Sequence, residues 1–445
     1  MKKYLVRTYG CQMNYSDTER IKTVLENLGM REAKGEQEAD MIIYNTCSVK
    51  QKAEDKVYGQ LHNDSKLKQK PLLGITGCMV RKTGTRKSGK KDKLLNRLKK
   101  LDFVFRIEDL GELAGILGIG ENSLENYFKI TPKYTSKVQA FVPIGTGCDK
   151  YCAYCIVPFA RGREKSRHPD EIFEECKKLV ENGCVEITLL GQTVDSYGLS
   201  DMDKKTGIFE MKGKETPFGQ LLRRIDTLKG KGLERLRFTS SHPKDFTDQL
   251  IETIAELETL MPYIHLPVQA GDNEVLKRMN RTYTIEQFMK IINKIKKEMP
   301  DCAISTDVIV GFCGETDEEF FRTCKMFEKA EFDHAYISRY SPRMGTVSAK
   351  TMEDDVSGEE KARRWHRLND LLKRTAKRNL KKHIGKKVNV LVEKWEDGVC
   401  NGRSEYFKEV QFGGSEKMVG KIVPVEITGH KEWILTGACN FKKVK

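Results

Sequence analysis

The sequence predicts an α/β protein with three parts: an N-terminal open-sheet α/β domain, a central full or partial β/α barrel, and a small C-terminal β-barrel. Three observations carry this. Short apolar strands alternate with helix-patterned segments over most of the chain, which argues for parallel sheets. Several of those strands end on Cys, Gly, Ser or Gln, the residue types that line a ligand crevice at the C-terminal edge of such sheets. From about Lys387 the texture changes to short alternating runs split by Gly and charged turns, as in a five-stranded barrel of the oligonucleotide-binding kind. At 445 residues the chain is long for one core, and we place the domains at 1–120, 134–375 and 380–445.

In the first domain, Tyr4–Thr8, Met41–Tyr44 and Leu72–Thr76 read as strands. Each runs directly into a cysteine: Cys11, Cys47 and Cys78. Asp17 is placed as the cap of a helix whose apolar face is Ile21, Val24, Leu25 and Leu28. A single cysteine at such a place reads equally well as a small buried hydrophobe. Three at the ends of neighbouring strands read together as a ligand set. Residues 81–100 hold ten Lys or Arg against one acid, either a solvated face or an RNA-contacting patch. Residues 101–119 return to apolar character and close the domain, and 121–137 is taken as a linker.

The second domain opens on Cys148-x3-Cys152-x2-Cys155, three thiols inside eight residues. Thiolates are soft ligands suited to iron–sulfur clusters. Three of them leave one iron of a four-iron cube open, and an open position marks a metal that does chemistry. A zinc site is the rival, with no fourth Cys or His at finger or ribbon spacing nearby. Gly145 and Gly147 allow a tight turn, and Tyr154 sets a flat face beside the last thiol. We place this motif on the first strand of the domain. Strands near 185–190, 235–239, 263–266, 303–310 and 333–338 follow, with helices near 169–182 and 246–257 and one capped by Thr284. The segment 200–217 reads as a surface insertion. A basic helix, 361–382, leads to the last domain. There Lys394, Arg403, Lys408, Lys417 and Lys421 can meet phosphates. Trp395, Tyr406 and Phe407 either stack on bases or belong to the core.

The net charge of +15, from 79 Lys+Arg against 64 Asp+Glu, favours an acidic partner such as RNA. No apolar run reaches the roughly 20 residues that span a bilayer. MKKYLVRTYG lacks a secretory h-region, so a cytoplasmic protein is expected. Its 13 cysteines then include metal ligands rather than disulfides.

With the central motif leading a β/α domain, the chain resembles the radical S-adenosylmethionine enzymes. With Cys11, Cys47, Cys78 and the terminal barrel added, it resembles the methylthiotransferases among them, over nearly its whole length. TYGCQMN (8–14), NTCSVKQKAEDKVY (45–58), FTSSHPKDF (238–246), HLPVQAGDNEVLKRMNRTYT (265–284) and STDVIVGFCGET (305–316) are similar to the branch acting on isopentenyladenosine in tRNA. The sister branches act on threonylcarbamoyladenosine in tRNA or on a ribosomal-protein aspartate. Departures are GQTVDSY (191–197) for GQNVNSY, Cys313 for Pro, and YSPRMGT (340–346) for YSPRPGT; the first puts cofactor contacts at Thr193 and Asp195 in doubt.

The resemblance implies a transferase that installs a methylthio group at carbon 2 of N6-isopentenyladenosine at position 37. It implies two S-adenosylmethionines, one a methyl donor and one a radical source, and two [4Fe-4S] clusters, with the transferred sulfur held at the auxiliary one. Cys148, Cys152 and Cys155 would hold the radical cluster, and Cys11, Cys47 and Cys78 the auxiliary one. Tyr154 would lie by the adenine of S-adenosylmethionine. Gln192, Ser240, Gln269 and Asp307 would supply polar contacts, with Gly311 allowing close approach. Expected partners are the tRNA anticodon stem-loop and an electron donor such as flavodoxin or ferredoxin, with the protein a monomer away from membranes.

Overall fold

The computed structural model describes residues 2–47, 51–80, 98, 100–118 and 127–439. Most of the basic run 81–100 lies outside the described residues, so neither reading of it is resolved. Three of the N-terminal strands, Lys3–Tyr9, Met41–Thr46 and Leu72–Gly77, pair in parallel in that order. Arg31–Glu32 and Phe103–Val104 extend the sheet at either edge. Met41–Thr46 is buried along its whole length, as a central parallel strand with both faces covered must be.

The register brings Tyr9 beside Thr46 and Thr46 beside Gly77. The three strands therefore end level. Gly77 is required here: its φ is +88°, and a Cβ would stand 2.3 Å from the Thr46 carbonyl oxygen. The helix expected to begin after Asp17 begins at Gln12 and runs to Asn27, with Asp17 inside it and fully buried. Asp17 is no cap because its carboxylate is taken by Tyr127 and Arg161.

The central domain is an arc of six parallel strands. Gln139–Pro143, Glu186–Leu190 and Arg235–Phe238 form one sheet, and Tyr263–His265, Ala303–Val310 and His334–Arg339 another. A parallel bridge between Leu236 and Leu260 carries the curve from one to the other. Five of the strands fall where the sequence places them. The first, Gln139–Pro143, lies past the expected linker where no strand is read from the sequence, and the cysteine motif lies in the loop after it rather than on the first strand. Its five residues between polar neighbours and a terminal proline give little alternation to read. Two outer helices, Pro217–Asp226 and Asp317–Ala330, were also not anticipated. Thr316 and Glu319 form a capping box at the start of the second, a signal present in the sequence.

The segment 200–217 is not merely superficial, since buried Asp203 accepts hydrogen bonds from the Ser166 backbone and hydroxyl. The long helix Gly358–Lys381 packs Leu368, Leu371 and Leu372 against the arc and leads into the last domain. No helix among the described residues is long and apolar enough to cross a membrane.

The chain ends in a closed five-stranded barrel built from Lys387–Glu396, Val399–Ser404, Glu409–Gly413, Ile422–Lys431 and Ile434–Ala438. Alternate residues Val388, Val390 and Val392, then Val423, Val425 and Ile427, fill its interior. This barrel is fastened to the start of the arc's strands. Arg235 donates to the carbonyls of Arg403 and Asn389, and Arg237 to those of Glu405 and Ser404. Glu186 receives both guanidiniums in a buried setting. Phe407 stacks on Tyr263 with ring centroids 4.6 Å apart, between the guanidiniums of Arg237 and Arg403.

Phe407 is thus engaged inside the protein rather than offered to a base. Trp395 and Tyr406 pack on the barrel core, Trp395 donating to the Gly414 carbonyl. Lys408 is buried against Asp333, which removes it from the phosphate-contact set.

Removing one guanidinium leaves Glu186 half-neutralised and two carbonyls unpaired, a loss on the order of 3 kcal/mol. Arg237→Ala is therefore expected to lower the urea midpoint and to make residues 387–439 the first segment released by limited proteolysis. An unchanged midpoint and digestion pattern would contradict this docking.

Candidate metal centres

The three N-terminal cysteines come together because their strands end level. Cys47 N–H donates to the Tyr9 carbonyl, and Cys78 N–H to the Thr46 carbonyl, both at 2.7 Å. Each cysteine is thus stitched to the end of the neighbouring strand, at the usual spacing of about 4.8 Å. Asn14 and Asn45 lock the turn beneath them: Asn14 Nδ2 donates to Asn45 Oδ1, and Asn45 Nδ2 returns to the Asn14 carbonyl. The thiols of Cys11 and Cys47 are hydrogen-bonded. That bond first, and the Arg161 charge after it, pull the Cys11 thiol down to about 6. Burial pushes Cys78 up, opposed by Arg161, whose Nε lies 3.4 Å from its sulfur.

The second triad sits in the loop after Gly145–Thr146, at the C-terminal end of the arc. At Gly147, φ +78°, a Cβ would stand 2.0 Å from the Arg163 carbonyl oxygen, so no side chain fits. The loop is braced from outside its own segment. Ala153 N–H donates to the Met279 carbonyl, Ser348 N–H to the Ala153 carbonyl, and Asn280 Nδ2 to the Tyr151 carbonyl. Burial pushes the Cys148 thiol up to about 12 and Cys155 well up, with Cys152 adding to each. Arg281 Nη1 lies 3.4 Å from Cys152 Sγ.

A residue set of this kind fits iron–sulfur groups. Each triad offers three soft donors and one buried guanidinium; burial disfavours the thiolates of Cys78, Cys148 and Cys155, and a bound cation would keep these ionised.

The remaining expected site residues divide. Gln192 lines a shallow depression beside the second triad, with Thr193, Glu164 and Ser166. Its Oε1 is buried without a hydrogen-bond partner. Ser240 and Gln269 sit just past strand ends, both in the left-handed region at φ +69° and +71°, and Gln269 is tied to the Asp307 carbonyl. Tyr154 meets Phe312 edge-on. Asp307 lies within its strand, 38% exposed inside the arc, 3.6 Å from His265 Nε2. At Gly311 the close neighbour is Lys361, whose Cγ stands 2.3 Å from a Cβ position. Asp195, the departure in GQTVDSY, is fully buried and accepts the His242 N–H on both oxygens, a structural role. Cys313 is buried against Tyr340.

Sequence reading missed three residues, Arg161, Arg281 and Glu164, and gave Asp17 a different role. Burial pushes the Glu164 carboxyl up to about 7.

Residues 142–327 match the Radical SAM superfamily, and residues 3–105 match the uncharacterized protein family UPF0004. The chain is 40% identical to a tRNA-2-methylthio-N(6)-dimethylallyladenosine synthase of Geobacillus kaustophilus, over 98% of this chain and 82% of that one. It is equally similar to a protein of the same name from Protochlamydia amoebophila, covering 96% of it, and 39% identical to one from Bacillus subtilis, covering 85%. Among solved structures, the radical S-adenosylmethionine methyltransferase TsrM of Kitasatospora setae superposes with a TM-score of 0.50 at 14% identity, over 78% of this chain and 77% of that one. That likeness concerns the fold.

Anaerobic reconstitution is expected to load about eight irons per chain, about four for each cube. Cys47→Ala and Cys148→Ala should each retain about half. Loss of all iron in either variant would contradict two separate centres.

Proposed function

Because the chain belongs to the family of tRNA-2-methylthio-N(6)-dimethylallyladenosine synthases, we propose that it inserts a methylthio group at carbon 2 of N6-isopentenyladenosine at position 37 of tRNA. The observation that carries this reading is the pair of thiol triads at the strand ends of two different sheets, joined through Arg161. When bound, two [4Fe-4S] clusters and S-adenosylmethionine supply the one-electron and radical chemistry that acid–base groups cannot bring to an unactivated C–H bond.

The chain's own residues hold and aim. In this reading Cys148, Cys152 and Cys155 fix the radical centre in a loop that Met279, Asn280 and Ser348 keep from shifting. Cys11, Cys47 and Cys78 fix the auxiliary centre on the rigid edge of the N-terminal sheet. Gln192 Oε1, buried and without a donor, offers acceptance to the ammonium group of S-adenosylmethionine, with Ser240 and Gln269 at the neighbouring strand ends as further polar contacts. Tyr154, held edge-on by Phe312, presents its ring to the adenine.

The target base must leave its stack to reach such a site. The inner face of the arc offers a path. Asp307 and Tyr336 lie mid-strand yet are 38% and 44% exposed, where a filled parallel barrel would bury them. The terminal barrel caps the opposite end of the strands, so the anticodon stem-loop would lie along the side of the arc, meeting Arg403, Lys417 and Lys421 at one end. We assign the domains as 1–120, 134–375 and 380–445. We also propose a cytoplasmic monomer that takes its electrons from a flavodoxin or ferredoxin.

Expressed in a bacterium stripped of its own 2-methylthio activity, this chain is expected to convert N6-isopentenyladenosine to its 2-methylthio form, as read by mass spectrometry of tRNA nucleosides. A new methylthio group on threonylcarbamoyladenosine, with isopentenyladenosine untouched, would assign it to a sister branch. Binding of the tRNA should also weaken steeply between 50 and 200 mM salt, by about 10³-fold if some six phosphates are contacted.

A further inference from the structure

The Arg161 side chain is 3% exposed, and its three nitrogens have three different fates. Nε donates to Cys78 Sγ at 3.4 Å, Nη2 pairs with Asp17 Oδ2 at 2.5 Å, and Nη1 is buried with no partner. Arg161 ends the helix Val157–Arg161, which begins two residues after Cys155. The segment leaving the second triad therefore delivers a permanent positive charge to the first. A guanidinium does not lose its proton in a protein, so this charge is fixed. Asp17 answers this charge on one side, and a cluster carried by three thiolates would answer it on the Cys78 side.

We propose that Arg161 is a positioning residue for the first triad, and that its charge, applied through the Cys78 sulfur, sets the reduction potential of the cluster that Cys11, Cys47 and Cys78 would hold. This rests on the two-cluster reading above. Reduction adds one electron to the cluster, and therefore one negative charge. A cation against a ligand sulfur, in surroundings of low dielectric, favours that state and raises the potential. Arg281, 3.4 Å from Cys152, stands in the same relation to the second triad, so the two centres are tuned by separate residues.

The test uses the full chain carrying Cys148→Ala, Cys152→Ala and Cys155→Ala, which keeps only the first triad. Its reduction midpoint is followed by electron paramagnetic resonance during a dithionite titration, with iron content measured alongside. Arg161→Gln is expected to move the midpoint to a more negative value with iron retained, and Arg161→Lys, which keeps the charge, to restore most of the shift. In the reciprocal chain, with Cys11, Cys47 and Cys78 replaced by Ala, Arg161→Gln should leave the midpoint unchanged. If Arg161→Gln does not fold because Asp17 is left unpaired, Arg161→Gln with Asp17→Asn takes its place, with the same direction expected. An unmoved midpoint in the first chain, or equal shifts in both, overturns the proposal. A first-triad chain that binds no iron even with Arg161 intact removes the two-cluster reading itself, and the tuning role with it.

Discussion

The Arg161–Asp17 pair joins two parts of the chain 144 residues apart, with both side chains buried. Taking two such charges out of water is costly, and the Coulomb attraction offsets it only when geometry and further hydrogen bonds are good. Part of that support is present, although Arg161 Nη1 has no partner. Tyr127 donates to the other Asp17 oxygen at 2.6 Å, Arg20 lies over the Tyr127 ring, and Glu175 collects Arg20, Arg167 and Tyr134. The result is a buried polar network along the seam between the N-terminal sheet and the arc. A pair like this contributes less to stability than to geometry. It holds one thiol triad at a fixed place relative to the other, which a reaction passing between two centres requires.

Both triads obey the same rule of α/β architecture: ligands gather where parallel strands end. In the N-terminal sheet, level registers put three cysteines from distant segments side by side. In the arc, one loop supplies all three. The first site is therefore as rigid as its sheet. The second depends on outside braces at Met279, Asn280 and Ser348. The terminal barrel takes the opposite end of the strands, where Arg235 and Arg237 leave four of its carbonyls satisfied. Chemistry and anchoring are thus separated by the length of a strand, roughly 17–26 Å for five to eight residues.

The sequence legibly marks what depends on local pattern. The thiol spacing 148–155, the strand ends at Cys11, Cys47 and Cys78, the Thr284 cap and the change of texture at Lys387 all express constraints within a few residues. What it conceals depends on partners far along the chain. Asp17 has the composition of a helix cap, yet it is buried because Arg161 and Tyr127 reach it. Phe407 has the look of a base-stacking aromatic, yet Tyr263 and two guanidiniums enclose it. Gln139–Pro143 is a strand because Glu186–Leu190 pairs with it, and its own five residues say little. That Lys361 crowds the Cβ side of Gly311 depends on a distant helix and cannot be read beside the glycine itself.

The central claim is that the radical generated at the second triad acts on carbon 2 of the target adenine. Isopentenyladenosine tRNA carrying deuterium at that carbon tests it most directly, with the 5′-deoxyadenosine formed during turnover analysed by mass spectrometry. One deuterium is expected in the deoxyadenosine for each methylthio group inserted. Deoxyadenosine without deuterium, formed while the methylthio product accumulates, would contradict it.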